Sequence, residues 1–383
     1  MKKLHNIQWL AWQPTPYNDL LFRSIANDPS VKLTVHFRYE SLSSHPWSTM
    51  FPQGYRSRIY NIENKTFHID KRIINAIIEE SESIFVLSGW PGLTSKLAIV
   101  ILSLLHRRFL FWTDTPKINF QENIQNKLCT VELKEYNFTY PFWHMLIRRF
   151  LYKIVFKYAF AIMATGIPGV NAIKALGCPS TKVVNLPFFV QLPDLQNRIR
   201  QKKTQSPFTF ISVGQLLTKK GYDIALKAIS IATNNIDIPF RYLIIGDGPD
   251  RDYLKSLIIQ YDIESHVELL GWLEPEQVYC WLNSSNAFIH SARLDPYPVV
   301  VLEAMANGLP ILGSDTSGSV CDRVNNGVNG FIHKAGNREM LANHIMKLVS
   351  KPELSVKLGR AARSTAEQWP VEYGVKVIKN LCN

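Results

Sequence analysis

Ser291-Ala292-Arg293-Leu294-Asp295-Pro296-Tyr297-Pro298-Val299-Val300-Val301-Leu302-Glu303-Ala304-Met305-Ala306-Asn307-Gly308-Leu309-Pro310 is the stretch on which the reading of this chain turns. Pro298 stands where a helix can begin without losing a backbone hydrogen bond, and Asn307-Gly308 is a helix stop. Asp295 is therefore expected in the loop ahead of the helix, and Glu303 about one turn inside it. Free amides at Val299 and Val300 lie between the two carboxylates, at a helix end that attracts anions. A carboxylate, an anion-binding terminus and a second carboxylate suit a hydroxyl, a phosphate and a hydroxyl, in that order.

Outward from this block the chain alternates strand and helix. Strands are expected at residues 208–213, 240–245, 267–270, 287–290 and 310–313, with helices at 222–233, 250–261, 274–284 and 299–307. Upstream, residues 6–11, 31–37, 83–88 and 108–112 read as strands, with helices through Leu20, Leu21 and Ile25 and across 93–106. Strands separated by helix-length segments imply βαβ units and parallel sheets. Residues 191–206, rich in Gln, Lys and Arg, have the composition of a linker. At 383 residues the chain is about two to three times the length of a typical domain. The expected architecture is α/β: two doubly wound, Rossmann-like domains, 1–190 and 207–365, facing across a cleft, with a closing helix in 366–383 that returns to the first. In such sheets ligands bind beyond the C-terminal strand ends, where the strand order switches.

Two glycine-bearing turns follow strands of the second domain. Residues 212–221, Ser-Val-Gly-Gln-Leu-Leu-Thr-Lys-Lys-Gly, place Gly214, Gln215 and Lys220 where close-lying amides and a lysine meet a phosphate. A glycine turn with a solvated lysine pair accounts for the same residues equally well. Residues 244–250, Ile-Ile-Gly-Asp-Gly-Pro-Asp, repeat the pattern at Gly246 and Gly248 but lack the third glycine of a dinucleotide fingerprint, which argues against a nicotinamide site. Asp250-Arg251-Asp252 has the form of a DxD metal motif, yet acidic residues in a first helical turn complement the dipole, and no metal site is read there.

On these motifs residues 208–335 resemble the donor-binding domain of retaining GT-B glycosyltransferases of family 4, whose signature is two acidic residues with seven between them. Asp295 and Glu303 stand at that spacing, inside the Leu-Glu-Ala-Met-Ala-x-Gly-x-Pro frame of residues 302–310. Gly318, Ser319 and Asp322 fall where that family has Gly-Gly and Glu, and residues 326–331, Asn-Gly-Val-Asn-Gly-Phe, continue the match. Residues 214–221 align with its Gly-Arg-Leu-x-x-x-Lys-Gly loop.

The resemblance implies a GT-B fold and transfer of a sugar with retention from a nucleoside diphosphate sugar, most commonly a UDP-sugar. It further implies no cofactor and no obligatory metal. In this scheme Glu303 holds the ribose hydroxyls and Asp295 a hydroxyl of the transferred sugar. Lys220 and the amides of Val299 and Val300 meet the diphosphate, flanked by Pro298, Gly214, Gly246 and Gly248, while backbone groups around Trp272 and Leu273 face the base. Two departures stand out. Gln215 replaces the family's diphosphate-pairing arginine, and Asp295 is one methylene shorter than glutamate, about 1.5 Å in reach. Either the sugar sits differently, or another basic residue, such as Arg293 or one from the first domain, makes up the missing charge.

The first domain is less legible. Gln13, Thr15, Tyr17 and Asn18 follow its first strand, on the side where the resemblance puts the acceptor. Asp114, after a later strand, stands where related enzymes often carry a histidine; it either orients or deprotonates the acceptor or caps a turn before Pro116. Residues 143–158, WHMLIRRFLYKIVFKY, set Arg149, Lys153 and Lys157 at a spacing of four, with Leu146, Phe150 and Ile154 on an adjacent apolar face. Such a helix either covers a sheet or meets an anionic membrane.

Composition bounds the function. With 46% hydrophobic and 19% charged residues the chain is no disordered polymer. Its net charge of +12 is uneven: residues 1–190 hold 22 basic against 12 acidic side chains, 191–206 hold 4 against 1, and 207–383 hold 17 against 18. The surplus thus belongs to the acceptor half, which points to an anionic membrane or acceptor rather than to the donor. No nucleic-acid-binding motif accompanies it, so no nucleic-acid partner is read. Five widely spaced cysteines without a CxxC pair, and a start lacking an apolar h-region, fit a cytoplasmic protein peripheral at the inner membrane face. The expected activity is transfer from a nucleotide sugar to a surface-glycan or lipid-linked saccharide, of the lipopolysaccharide or exopolysaccharide kind. The alternatives are a weakly active or inactive nucleotide-sugar-binding protein of the same fold and a nucleotide-sugar epimerase.

Overall fold

The computed structural model describes residues 4–40, 54–60, 69–89, 92–114, 142–193 and 207–383, which fall into two compact units. Described residues up to Phe189 form the first unit together with Pro370–Asn383, and those from Val190 to Trp369 form the second. Residues 194–206 of the expected linker lie outside the described residues.

The first unit is a parallel sheet of β1 (His5–Ala11), β2 (Val31–Phe37), β3 (Arg56–Ile59), β4 (Ile84–Ser88), β5 (Phe109–Thr113), β6 (Ala161–Ala164) and β7 (Val183–Asn185). Its order, β3-β2-β1-β4-β5-β6-β7, switches direction between β1 and β4. The central strands are apolar on both faces, and Ile7, Trp9, Phe85, Val86, Phe109 and Phe111 are fully buried, as a sheet covered on both sides requires. The helices are α1 (Pro16–Ala26), α2 (Lys71–Glu79), α3 (Gly92–Leu104), α4 (Phe142–Tyr158) and α5 (Gly166–Ala175).

The second unit repeats the plan with β8 (Phe208–Val213), β9 (Phe240–Ile245), β10 (Val267–Gly271), β11 (Ala287–His290), β12 (Ile311–Ser314) and β13 (Gly330–His333), in the parallel order β10-β9-β8-β11-β12-β13. Its helices are α6 (Tyr222–Thr233), α7 (Arg251–Gln260), α8 (Pro275–Ser284), α9 (Val299–Ala306), α10 (Gly318–Arg323), α11 (Arg338–Ser350) and α12 (Pro352–Glu367). Successive strand residues feed opposite cores. Phe210, Tyr242, Ile289 and Leu312 pack with α6, whereas Ile211, Leu243, Phe288 and Ile311 pack with α9. Both sheets are thus doubly wound, as expected, and the second switches between β8 and β11, which puts its crevice at Gly214 and His290.

The last helix, α13 (Val371–Cys382), belongs to the first unit. Ile378 and Cys382 enter the core with Leu21, Phe22 and Phe189. Lys379 pairs with Asp28 at 2.6 Å, and Arg108 donates to the carbonyl of Leu381 at 2.7 Å. The division between the two units falls at Trp369/Pro370, just after α12 ends at Glu367 and at a proline that cannot continue it.

Candidate functional site

The site is built on the strand ends of the second sheet. After β8 the chain makes a single 3-10 turn, Thr218–Lys220, and enters α6 through Gly221 at φ +67°. A side chain at Gly221 would run into the carbonyl of Ser291, whose hydroxyl donates to the Gly221 carbonyl at 2.7 Å. Arg293 N donates to Lys219 O at 2.8 Å. Two loops about seventy residues apart are thereby sewn together, and the seam brings Lys220 Nζ to 2.5 Å from Asp295 Oδ2.

Asp295 is only 8% exposed. Its backbone donates to Thr316 O and accepts from Gly318 N at 2.9 Å, and no side chain fits at Gly318 against the Pro296 carbonyl. His290, the last residue of β11, brings Nε2 to 3.4 Å from the same Oδ2. Burial opposes charge on Asp295, but His290 and Lys220 more than offset it and hold the carboxyl well below the usual carboxylate range. Burial lowers His290 in turn, which favours the neutral imidazole.

Pro298 is the N-cap residue of α9, so the amides of Val299 and Val300 open the helix as expected. Glu303 sits one turn in. Among the described residues none hydrogen-bonds to or pairs with its carboxyl, and burial pushes it up to about 7. A partly buried, unpaired carboxyl beside a free helix N-terminus is a receptor for hydroxyl donors.

The other expected donor-side residues line the same edge. Gly214 and Gly246 end β8 and β9, and Gly246 N donates to Gly271 O at 2.7 Å, next to the exposed Trp272 and half-buried Leu273. Any side chain at Gly246 would meet the Gly214 carbonyl, and one at Gly248 would meet Leu216, so these glycines let backbones pass one another. Gln215 lies in the loop that follows β8.

Arg293 is held within the seam between the two loops. Its guanidinium makes two parallel 2.6 Å bonds to the Asp223 carboxylate and a third, of 2.9 Å, to Thr218 O. Its charge is matched inside the loop seam, by a partner on the first turn of α6. Of the DxD-like pair, Asp250 accepts from Thr218 Oγ1 at 2.8 Å and Asp252 lies 3.7 Å from Lys255.

In the first unit, Gln13, Thr15, Tyr17 and Asn18 follow β1 at the switch with β4. Thr15 caps α1 through the amide of Asn18 at 3.3 Å, and Tyr17 packs on Phe188. Gln13 is 5% exposed, and its Oε1, like Oδ1 of Asn18, is buried without a hydrogen-bond partner among the described residues. Asp114 is exposed at the end of β5 and accepts from Thr165 Oγ1 at 3.2 Å. Sequence reasoning missed His290; its signal was a polar residue closing an apolar strand at a switch point.

Helix α4 presents two different faces. Leu151, Tyr152 and Val155 cover the core, whereas Leu146 (40%), Ile147 (50%) and Phe150 (64%) are exposed beside Arg149, Lys153 and Lys157. No described helix is long and apolar enough to cross a membrane.

Residues 195–365 match the family model described as "Glycosyl transferases group 1". The amylovoran biosynthesis glycosyltransferase AmsK of Erwinia amylovora is 29% identical over 203 residues, 51% of this chain and 49% of its own. The lipopolysaccharide core biosynthesis glycosyltransferase LpsE of Rhizobium meliloti is 26% identical over 156 residues, 40% of this chain and 43% of its own. The chain spans about half the length of the curated relatives it matches. Across 98% of both chains it superposes on Anabaena Alr3699/HepE in complex with UDP, with a TM-score of 0.72 at 14% identity. The lipopolysaccharide outer core galactosyltransferase WaaB matches over 98% of both chains, with a TM-score of 0.70 at 16% identity. At these identities the likeness shows the fold, and that fold is GT-B.

Proposed function

We propose that this chain is a glycosyltransferase of lipopolysaccharide or exopolysaccharide biosynthesis that moves a sugar, with retention, from a UDP-sugar to a surface-glycan or lipid-linked saccharide. The observation that carries the reading is the ordered set Lys220, Asp295, the α9 N-terminus and Glu303 along one sheet edge. Glu303 accepts from the ribose hydroxyls. Lys220 and the amides of Val299 and Val300 face the diphosphate, whose negative charge grows as the glycosidic bond breaks; fixed donors aimed at that charge lower the barrier. Asp295 orients the transferred sugar. On the acceptor side, the amide oxygens of Gln13 and Asn18, unpartnered among the described residues, accept from sugar hydroxyls, and Asp114 orients the acceptor.

The names of the relatives support the biosynthetic class, and the UDP and UDP-glucose complexes of HepE support a uridine nucleotide. The exposed Leu146, Ile147 and Phe150 among basic side chains support an anionic membrane surface as a partner, with the protein peripheral at the cytoplasmic face. The deciding experiment is a panel of UDP- and GDP-sugars scored for binding and for nucleoside diphosphate release, with Glu303→Ala alongside. Stabilisation by one sugar nucleotide, lost in the variant, is expected. Binding with no turnover on any acceptor would instead favour an inactive nucleotide-sugar-binding protein, which the uncharged Gln215 and the engaged Arg293 make the second reading.

A further inference from the structure

Two donors converge on one oxygen. Asp295 Oδ2 has Lys220 Nζ at 2.5 Å and His290 Nε2 at 3.4 Å. The contacts differ in kind. Lys220 closes a 3-10 turn, is 20% exposed along its side chain and has a flexible four-carbon stem. His290 ends a central strand, is 6% exposed, and its Nε2 is a buried atom with no formed hydrogen bond among the described residues. At 3.4 Å the imidazole is a few tenths of an ångström beyond ordinary N–H···O range.

We propose that His290 is the positioning residue that takes over the Asp295 carboxylate when Lys220 turns to the diphosphate of a bound nucleotide. This rests on the reading of the site given above and deepens it. A diphosphate draws on the lysine already paired with Asp295, and a carboxylate this buried cannot lose its cation without a replacement donor, because an uncompensated buried charge is strongly destabilising. Neutral imidazole carries one N–H, and with that proton on Nε2 it donates to Oδ2 after a small shift. The rigid strand keeps Asp295 in place while the mobile lysine changes partners. In this scheme Lys220 answers the nucleotide, His290 holds Asp295, and Asp295 holds the sugar.

The test is a double-mutant cycle read by calorimetric titration with UDP, and with GDP where UDP gives no heat. His290→Phe keeps the ring and removes the donor; it should weaken binding about tenfold, and His290→Gln should recover most of the loss. In an Asp295→Asn background there is no charge to strand, so His290→Phe should then change affinity by less than about twofold. A packing role for His290 predicts equal losses in both backgrounds, and that result overturns the proposal, as does unchanged affinity in His290→Phe. Should His290→Phe not fold, the wild-type chain answers: with histidine ring nitrogens labelled, UDP should move the His290 Nε2 proton downfield, and an unmoved resonance overturns the proposal. Failure of the wild type to bind either nucleotide removes the site reading and this inference together; UDP binding that Lys220→Met abolishes but the cycle finds additive removes this inference alone.

Discussion

Arg293 and Asp223 face each other through two parallel hydrogen bonds of 2.6 Å, joining the loop that carries Asp295 to the first turn of α6. Both side chains are 23% exposed, so the pair is partly desolvated and geometrically fixed, unlike a surface ion pair. Arg293→Ala should therefore cost about 1–2 kcal/mol and lower Tm by about 3–6 °C, since it breaks the fork and strands a half-buried Asp223. UDP affinity at saturating stability should change less than about threefold. A tenfold loss of UDP affinity with an unchanged Tm would return Arg293 to the diphosphate.

Lys220 and Asp295 neutralise one another, so removing either should have opposite consequences for nucleotide binding. Asp295→Asn frees the full ammonium charge for a diphosphate and should tighten UDP severalfold while cutting sugar transfer by at least about a hundredfold. Lys220→Met should weaken UDP by more than about tenfold. Titration calorimetry and nucleoside diphosphate release separate the two, and equal weakening by both substitutions would mean that Asp295 itself contacts the nucleotide.

Much of this site was legible because its spacing is local. A proline at 298, Asn307-Gly308 and acidic residues on either side of the helix start are enough to order Asp295, the free amides and Glu303. Strands β8 to β12 of the second unit were readable for a related reason, since each is a largely apolar run closed by glycine or a polar turn, whereas the short β13 after Asn329 was not. What escaped is non-local or weakly patterned. Strand β3 is Arg-Ser-Arg-Ile at a sheet edge, with exposed and half-buried residues alternating and no apolar run to announce it. Arg293 looked available because its partner lies 70 positions away, and no periodicity encodes that pairing. The buried stripe of α4 runs through Leu151, Tyr152 and Val155 because the sheet, not the sequence pattern, decides which side is covered.

Glu303 makes binding pH-dependent. Its carboxyl titrates near 7 and accepts ribose hydroxyls best when ionised, so nucleotide binding should release a proton and strengthen as pH rises to about 8. At pH 6 about nine-tenths of such a group is protonated, which predicts roughly tenfold weaker UDP binding. The free protein should behave oppositely. In the folded chain the group keeps a proton that the unfolded chain loses above its ordinary 4.5, so stability should fall as pH rises from about 4.5 to 7. Glu303→Gln should flatten both profiles, raising Tm at pH 8 while weakening UDP; a Glu303→Gln protein with the wild-type pH dependence would assign the titration to another group.

The exposed face of α4 predicts vesicle binding that depends on lipid charge. Leu146, Phe150, Arg149, Lys153 and Lys157 share one stripe of a 3.6-residue period, so aliphatic and aromatic groups can enter the headgroup region while ammonium and guanidinium groups stay at phosphate level. Each basic residue near an anionic surface contributes about 1 kcal/mol, so three of them are worth roughly a hundredfold in partitioning. Cosedimentation with vesicles of one-third anionic lipid should be strong at low salt, weaken as screening increases, and vanish with neutral lipid. Charge reversal at Arg149, Lys153 and Lys157 should abolish it, and Leu146→Ser with Phe150→Ser should weaken it, both without change in Tm or in UDP affinity. Equal binding to neutral and anionic vesicles, or wild-type binding by the reversed variant, would assign this face to something other than a membrane.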